Sequence, residues 1–192
     1  MNDFDVIIVG AGMVGLTVAN LFKNTRLRVA LIDKSESSAK ESVSDADVPK
    51  FDSRVSALSS SSREILTRLG AWTLIEQQRY CDLREMYVWD ADGTGSITFS
   101  ADDLAAPRLG TIVENSLVID ALTQCLESTC NVELIRPCSI DALNEIDDWV
   151  LLNTADQGVL RARLVIAADG VNSKIRELKS FEVREWEYNH NA

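Results

Sequence analysis

Residues Asp5 to Asp33 read DVIIVGAGMVGLTVANLFKNTRLRVALID, and their pattern decides the fold. The stretch opens on Val6-Ile7-Ile8-Val9, rich in β-branched residues and too short for a helix. Such a run suits a strand buried on both faces of a parallel sheet. Gly10, Gly12 and Gly15 follow at fixed offsets. The period then changes: Val14, Val18, Leu21 and Phe22 fall on one helical face, and Arg28 to Ile32 forms a second apolar strand ending on Asp33. This is a β-α-β unit with G-x-G-x-x-G at its first turn and an acid about 20 residues further on.

Each part has a physical task in holding a dinucleotide. Gly10 allows the tight strand-to-helix turn, Gly12 lets a diphosphate approach the backbone, and Gly15 lets the helix pack closely on the strands. Free N–H groups and the helix dipole make the start of the helix an anion site. Asp33, at the carboxyl end of the second strand, is placed to accept hydrogen bonds from an adenosine ribose.

Around this unit the composition is that of an ordinary globular domain, with 46% apolar and 26% charged residues in 192. A formal net charge of −11 argues against electrostatic binding of nucleic acid or of an anionic membrane. Cys81, Cys125, Cys130 and Cys138 lack metal-like or C-x-x-C spacing and read as buried, reduced thiols of a cytoplasmic protein. Asp3 and Asp5 precede the apolar run where a secretory signal would be basic, and no apolar stretch reaches the length of a membrane span.

Beyond Asp33, Lys34 to Ser53 is polar and aperiodic, an expected mobile excursion or lid. Order restarts at Arg54 to Leu58. Ile65, Leu66 and Leu69 have helical spacing with Gly70 as a stop, and Ala71 to Gln78 predicts a further short helix. Met86 to Asp90 and Ser96 to Phe99 flank Asp92-Gly93-Thr94-Gly95, a hairpin signal. A strand over Thr111 to Glu114 and a helix from Ser116 to about Ser128, with Leu117, Ala121, Leu122 and Leu126 on one face, lead to a strand at Val132 to Ile135. The runs Cys138 to Ile146, Trp149 to Thr154 and Val159 to Ala168 predict an antiparallel meander. Its last part, Leu164 to Ala168, reads as a second buried, parallel-type strand. Asp169-Gly170 closes it, and Ser173 caps a short helix.

The string Asp169-Gly170-Val171-Asn172-Ser173-Lys174-Ile175-Arg176, D-G-x-x-S-x-x-R, resembles the second fingerprint of the FAD-dependent aromatic hydroxylases of the para-hydroxybenzoate hydroxylase superfamily. Gly10 to Gly15, Arg54-Val55-Ser56-Ala57, Val113-Glu114-Asn115-Ser116 and Ala162 to Ile166 are similar to the ubiquinone-biosynthesis branch of that family. The resemblance implies an α/β fold: a three-layer, Rossmann-like FAD/NAD(P)-binding domain over residues 1–180, with a parallel sheet and a β-meander crossover. Strands of a substrate-domain sheet would be inserted at about residues 83–115, and the start of a truncated sheet would follow over 181–192.

By the same resemblance Gly10, Gly12, Met13, Val14 and Gly15 hold the FAD diphosphate, and Asp33 with Lys34 meets the adenosine ribose. Many relatives carry Glu where this chain has Asp33. Arg54 lies along the FAD, Asn115 reaches towards the ribityl chain, and Asp169 with Gly170 sits near the diphosphate. A carboxylate cannot be a counter-charge to phosphate, so Asp169 is expected to accept hydrogen bonds and fix the turn; a plain helix-capping aspartate is the alternative.

The implied chemistry is hydroxylation of a polyprenylated phenol ring with NAD(P)H as reductant and O2 as co-substrate, carried by the flavin and by no metal. Implied too is a cytoplasmic site peripheral to the inner membrane, with association with other ubiquinone-biosynthesis proteins. The family's third motif, a Gly-Asp pair before a long helix, is absent, so the sequence reads as an N-terminal portion expected to be inactive alone. Two rivals remain: a truncated, non-catalytic FAD-binding fragment and an NAD-dependent dehydrogenase. His190, Trp72, Trp89, Trp149 and the acidic run Glu145, Asp147, Asp148 read as structural or solvated.

Overall fold

The computed structural model describes residues 2–36, 51–184 and 186. In chain order its elements are β1 (Asn2–Val9), α1 (Met13–Phe22), β2 (Val29–Ile32), β3 (Val55–Leu58), α2 (Ser60–Leu69), α3 (Ala71–Glu76), β4 (Cys81–Leu83), β5 (Glu85–Trp89) and β6 (Ser96–Ser100). There follow β7 (Gly110–Glu114), α4 (Asn115–Gln124), β8 (Val132–Ile135), β9 (Ile140–Ile146), β10 (Trp149–Thr154), β11 (Gly158–Ala167) and α5 (Lys174–Leu178).

The main sheet runs β8-β2-β1-β11-β10-β9. Its first four strands are parallel, and β11, β10 and β9 form the antiparallel meander expected from the sequence. Side chains alternate across a strand, so one face collects Val6, Ile8, Val29 and Leu31 and the other Ile7, Val9, Ala30 and Ile32. The first set packs with Leu16 of α1, Trp72 of α3 and Leu122 of α4. The second packs with Leu152 and Leu160 of the meander and Ile175 of α5. Helices on one face and the meander with α5 on the other make the three-layer α/β architecture. β3, β7 and β4 form a small separate sheet, and β5 with β6 a detached hairpin.

Several local features follow the sequence closely. Gly70 ends α2 in the left-handed region at φ +87°, and the Ser59 and Ser173 hydroxyls cap α2 and α5. Both β1 and β2 are buried through their apolar runs. Helix α4 stops at Gln124, short of the expected Ser128, although Leu126 still folds back into the core.

Other expectations are corrected. On α1 the buried face is Gly15, Leu16, Ala19 and Asn20, while Val14 and Leu21 are 67% and 61% exposed. This helix is apolar almost all round, so periodicity does not choose its face. The small Gly15 and Ala19 choose it by permitting close approach, and Asn20 locks it by donating to Leu16 O and Leu122 O, both at 2.9 Å.

The stretch Leu164 to Ala168 is parallel to β1 but not fully buried. Pairing with β10 stops at Ala162, which leaves one edge of the strand open and Leu164 49% exposed. Cys138 is buried and Cys125 half-buried, but Cys81, on the short β4, and Cys130, in the loop after α4, are exposed. Most of the expected lid, and Tyr188 and His190 of the expected terminal strand, lie outside the described residues. Residues 181–184 adopt no regular structure.

Candidate nucleotide site

The carboxyl ends of β1, β2 and β11 meet at the glycine turn. Gly10 adopts φ +102°, and its N–H donates to Ile32 O at 2.8 Å. A Cβ on Gly10 would lie 2.4 Å from Ala168 O and 2.8 Å from Asp169 Cα. The turn is therefore pressed flat against the end of β11, and the two fingerprints, far apart in sequence, are in contact. A Cβ on Gly15 would stand 1.8 Å from Gly10 O, so α1 sits on the turn at a distance only glycine allows.

Gly12 is different. It is exposed, has an ordinary φ of −79°, and a Cβ there would meet nothing within 4 Å. It is the N-cap of α1, no side chain caps that helix, and no acid lies in its first turn. Among the described residues no side chain takes the leading amides, at Gly12, half-buried Met13 and exposed Val14, and the positive end of the helix dipole lies behind them. Empty space over a glycine at an uncapped helix start fits the diphosphate of a dinucleotide.

Asp33 braces this turn. Its Oδ2 accepts from Ala11 N–H at 2.6 Å and its Oδ1 from Ser35 N–H at 2.7 Å. Each carboxylate oxygen keeps lone-pair capacity for a ribose hydroxyl. The shorter Asp, in place of Glu, thereby ties the end of β2 to the glycine turn itself. Lys34 points to solvent.

Asp169 spends its oxygens within the chain. Oδ1 accepts from Ser173 Oγ at 2.6 Å, and Oδ2 from the N–H groups of Lys174 at 2.6 Å and Ile175 at 3.2 Å. That is the turn-fixing, helix-capping role weighed from the sequence. Gly170 adopts φ +85° with nothing within 4 Å of its Cβ position. An open groove of about 430 Å³ lies beyond it, bordered by Asn172, Arg176 and Phe181, and is not lined by the glycine turn.

Arg54 and Asn115 form a second group. Asn115 N–H donates to Arg54 O at 3.0 Å where β3 pairs with β7. The Ser56 hydroxyl donates to Asn115 Oδ1 at 2.6 Å, which leaves the Asn115 amide nitrogen as a donor for a ligand. Arg54 is exposed. Three residues to which no motif assigns a role, Asp52, Glu114 and Arg79, hold this pair. Asp52 accepts from Arg54 N–H at 2.9 Å and Ser116 N–H at 3.1 Å, capping α4 from outside the helix.

Buried Glu114 accepts from Asp52 N–H at 2.7 Å and from Arg79 Nε at 2.8 Å and a terminal Arg79 nitrogen at 3.1 Å. The Arg79 hydrogen bonds, then the Asp52 amide, hold the Glu114 carboxyl below its usual range. Backbone donors from Arg54 and Ser116 do the same for Asp52. Among the described residues no cluster of His, Cys, Asp and Glu could hold a metal ion.

Known proteins place this geometry. The profile of the FAD binding domain family matches residues 3–190. The 3-demethoxyubiquinol 3-hydroxylase of Escherichia coli K12 is 35% identical over 184 residues, 96% of this chain and 46% of that protein. The mitochondrial ubiquinone biosynthesis monooxygenase COQ6 of Homo sapiens is 28% identical, over 98% of this chain and 42% of its own. The chain thus spans about half the length of the curated relatives it matches. Among solved structures, PqsL of Pseudomonas aeruginosa in complex with 2-aminobenzoylacetate superposes with a TM-score of 0.76 at 19% identity, over 97% of this chain and 48% of that one. The p-nitrophenol 4-monooxygenase PnpA of Pseudomonas putida DLL-E4 gives 0.72 at 22% identity, over 93% and 44%. At such identities the likeness is one of fold.

Proposed function

Since the chain belongs to the FAD binding domain family of the FAD-dependent monooxygenases, we propose that it forms the nucleotide-holding part of a hydroxylase of ubiquinone biosynthesis. That enzyme uses NAD(P)H and O2 to hydroxylate the ring of a polyprenylated phenol. The observation that carries the reading is the open space over Gly12 at an uncapped helix start, beside a carboxylate that ends β2. Its support in chemistry comes from the relatives, whose names are those of ubiquinone hydroxylases.

In this reading the amides of Gly12, Met13 and Val14 bind the diphosphate, and the close backbone contacts that only glycine allows at Gly10 and Gly15 set their position. Asp33, with Lys34 next to it, binds the adenosine ribose. Arg54 and the Asn115 amide nitrogen meet the ribityl and flavin end. Asp169 fixes the turn that keeps Gly170 open beside the diphosphate. FAD, when bound, supplies the redox chemistry that activates O2 for insertion of one oxygen atom into the ring. The chain's residues bind and orient the cofactor. In the same reading the FAD-binding domain takes residues 1–180, with strands of a substrate-domain sheet inserted at about residues 83–115. An apolar substrate favours a cytoplasmic position at the inner-membrane surface, beside other proteins of the pathway. No helix of the described residues is long and apolar enough to cross a membrane.

A second reading, FAD binding without hydroxylation by this chain, is favoured by the β5–β6 hairpin. Its register pairs Met86 with Phe99 and Val88 with Ile97 on one face, while Tyr87 stacks on Trp89 at 5.7 Å on the other. Both faces are exposed, and a lone two-stranded hairpin has little stability of its own. The test is titration of the purified chain with FAD, followed by flavin absorbance and fluorescence, and then by NAD(P)H oxidation and product analysis with a phenolic substrate. Saturable FAD binding that Gly12→Val abolishes supports the reading. No binding to a folded chain overturns it.

A further inference from the structure

We propose that Glu114, with Arg79 and Asp52, is a positioning residue for the flavin end of the bound dinucleotide, acting through Arg54 and Asn115. This rests on the assignment of Arg54 and Asn115 to the flavin arm made above. The two groups of ligand residues are held in different ways. The adenosine end is fixed by packing: glycines pressed to within contact of β11 and α1. The flavin end is fixed by a chain of polar contacts. Arg79, just beyond α3, holds Glu114; Glu114 holds the Asp52 amide; and the Asp52 carboxylate holds the amides of Arg54 and Ser116. Arg54 in turn accepts from Asn115, whose side chain Ser56 orients.

The geometry departs from what stability alone asks. Glu114 is the N-cap residue of α4, yet its side chain does not cap that helix. The capping is done by Asp52 from across the sheet, and the Glu114 carboxylate is turned inward to grip the segment that delivers Arg54. The Glu114 side chain is 8% exposed against 36% for Arg79. A buried carboxylate with three donors is a rigid anchor, and removing its partner leaves a charge uncompensated. The guanidinium of Arg79 also lies 4.7 Å from the Phe51 ring centroid, so the pair holds Phe51 as well as the Asp52 amide. Without the grip, residues 52–54 and the start of α4 lose their common reference, and a ligand must order them on binding.

The experiment compares FAD with ADP on the intact chain. ADP reports the glycine turn and Asp33; FAD adds the flavin arm. Glu114→Gln and Arg79→Gln should weaken FAD at least 10-fold and change ADP affinity less than 2-fold. The double variant should cost no more than the worse single one. Ser56→Ala, a mild change beside Asn115, should lower FAD affinity about 3- to 10-fold and keep the fold if the buried variants do not. Fluorescence of the bound flavin should rise towards that of the free form in each.

Equal loss of FAD and ADP in the Glu114 and Arg79 variants would make the pair purely structural and overturn the inference. Arg54→Ala and Asn115→Ala serve as direct controls. If they shift the FAD-to-ADP preference and the Glu114, Arg79 and Ser56 variants do not, the positioning role fails and the site assignment stands. If none shifts it, the assignment of the flavin arm fails first.

Discussion

An added side chain should cost stability at Gly15 and ligand affinity at Gly12, three positions away. At Gly15 an added Cβ would sit 1.8 Å from Gly10 O, against a floor near 3.0 Å for real Cβ contacts. Backbone faces backbone there, and no flexible side chain can yield. Helix α1 and the turn must separate by more than an ångström, an overpacking that costs about 2–3 kcal/mol and lowers Tm by roughly 5–10 °C in a domain of this size. At Gly12 the backbone is in an ordinary region and a Cβ meets nothing within 4 Å. Gly12→Val should therefore change stability by less than about 1 kcal/mol, the cost of a poorer N-cap.

Its effect should fall on the ligand. Bulk over the leading amides of α1 should weaken FAD and ADP alike by at least about 10-fold, or 1.4 kcal/mol. Thermal unfolding without ligand and titration with ADP separate the two quantities. If Gly12→Val lowers Tm as much as Gly15→Ala while its ADP affinity survives, Gly12 serves packing and the diphosphate lies elsewhere.

Asp33→Ala should lower ADP and FAD affinity by about 1–3 kcal/mol, since it removes the ribose acceptor and frees the Ala11 and Ser35 amides it holds; unchanged affinity in calorimetric titration would refute this. The folded-state pKa values of Glu114 and Asp52 lie below their unfolded values, so their stabilisation is full above the unfolded range and is lost as pH falls through the folded values. The FAD-to-ADP preference should hold from pH 7 down through the ordinary carboxylate range and decline only below it, where these groups take up protons; a decline while ordinary carboxylates are still ionised would point to other groups. The 192-residue chain, with both faces of its β5–β6 hairpin open to water, should pass any NAD(P)H electrons to peroxide without forming hydroxylated product. Coupled oxygen incorporation, measured with labelled O2, would show the water-excluding enclosure to lie within these residues.

The part of the fold legible in the sequence is the part fixed by local rules. Glycines at a turn, β-branched runs and the cap residues Ser59, Gly70 and Ser173 act over a few positions, and each of these elements lies where its residues place it. Legibility failed where the pattern was degenerate. Helix α1 has apolar residues on every side, so its burial was decided by side-chain size and by Asn20 reaching Leu122, a contact across 102 positions. The end of β11 failed for a related reason. An apolar run states that a strand can be buried, but whether a neighbour covers it depends on where β10 stops pairing.

The site divides along the same line. Gly10 to Gly15 and Asp33 form one contiguous unit, and Asp169-Gly170 carries its own turn chemistry, so motifs name them. Arg79 and Asp52 belong to no motif, and Glu114, although it stands inside Val113-Glu114-Asn115-Ser116, is joined to Arg79 across 35 positions and to Asp52 across 62. Glu114 is also where a helix-capping argument misleads. A carboxylate just before a helix normally serves that helix, and here the helix is capped from a distance by Asp52 so that Glu114 can turn inward. The signal that could have found it is a physical one. A Glu at the end of the Gly110–Glu114 strand, whose other four residues are Gly, Thr, Ile and Val, enters a buried layer and needs a cation. Arg79, between α3 and β4, is the cation that meets it. Sequence motifs therefore mark the surface proposed to take the nucleotide, and burial of charge marks the Glu114 group proposed to hold its flavin end in place.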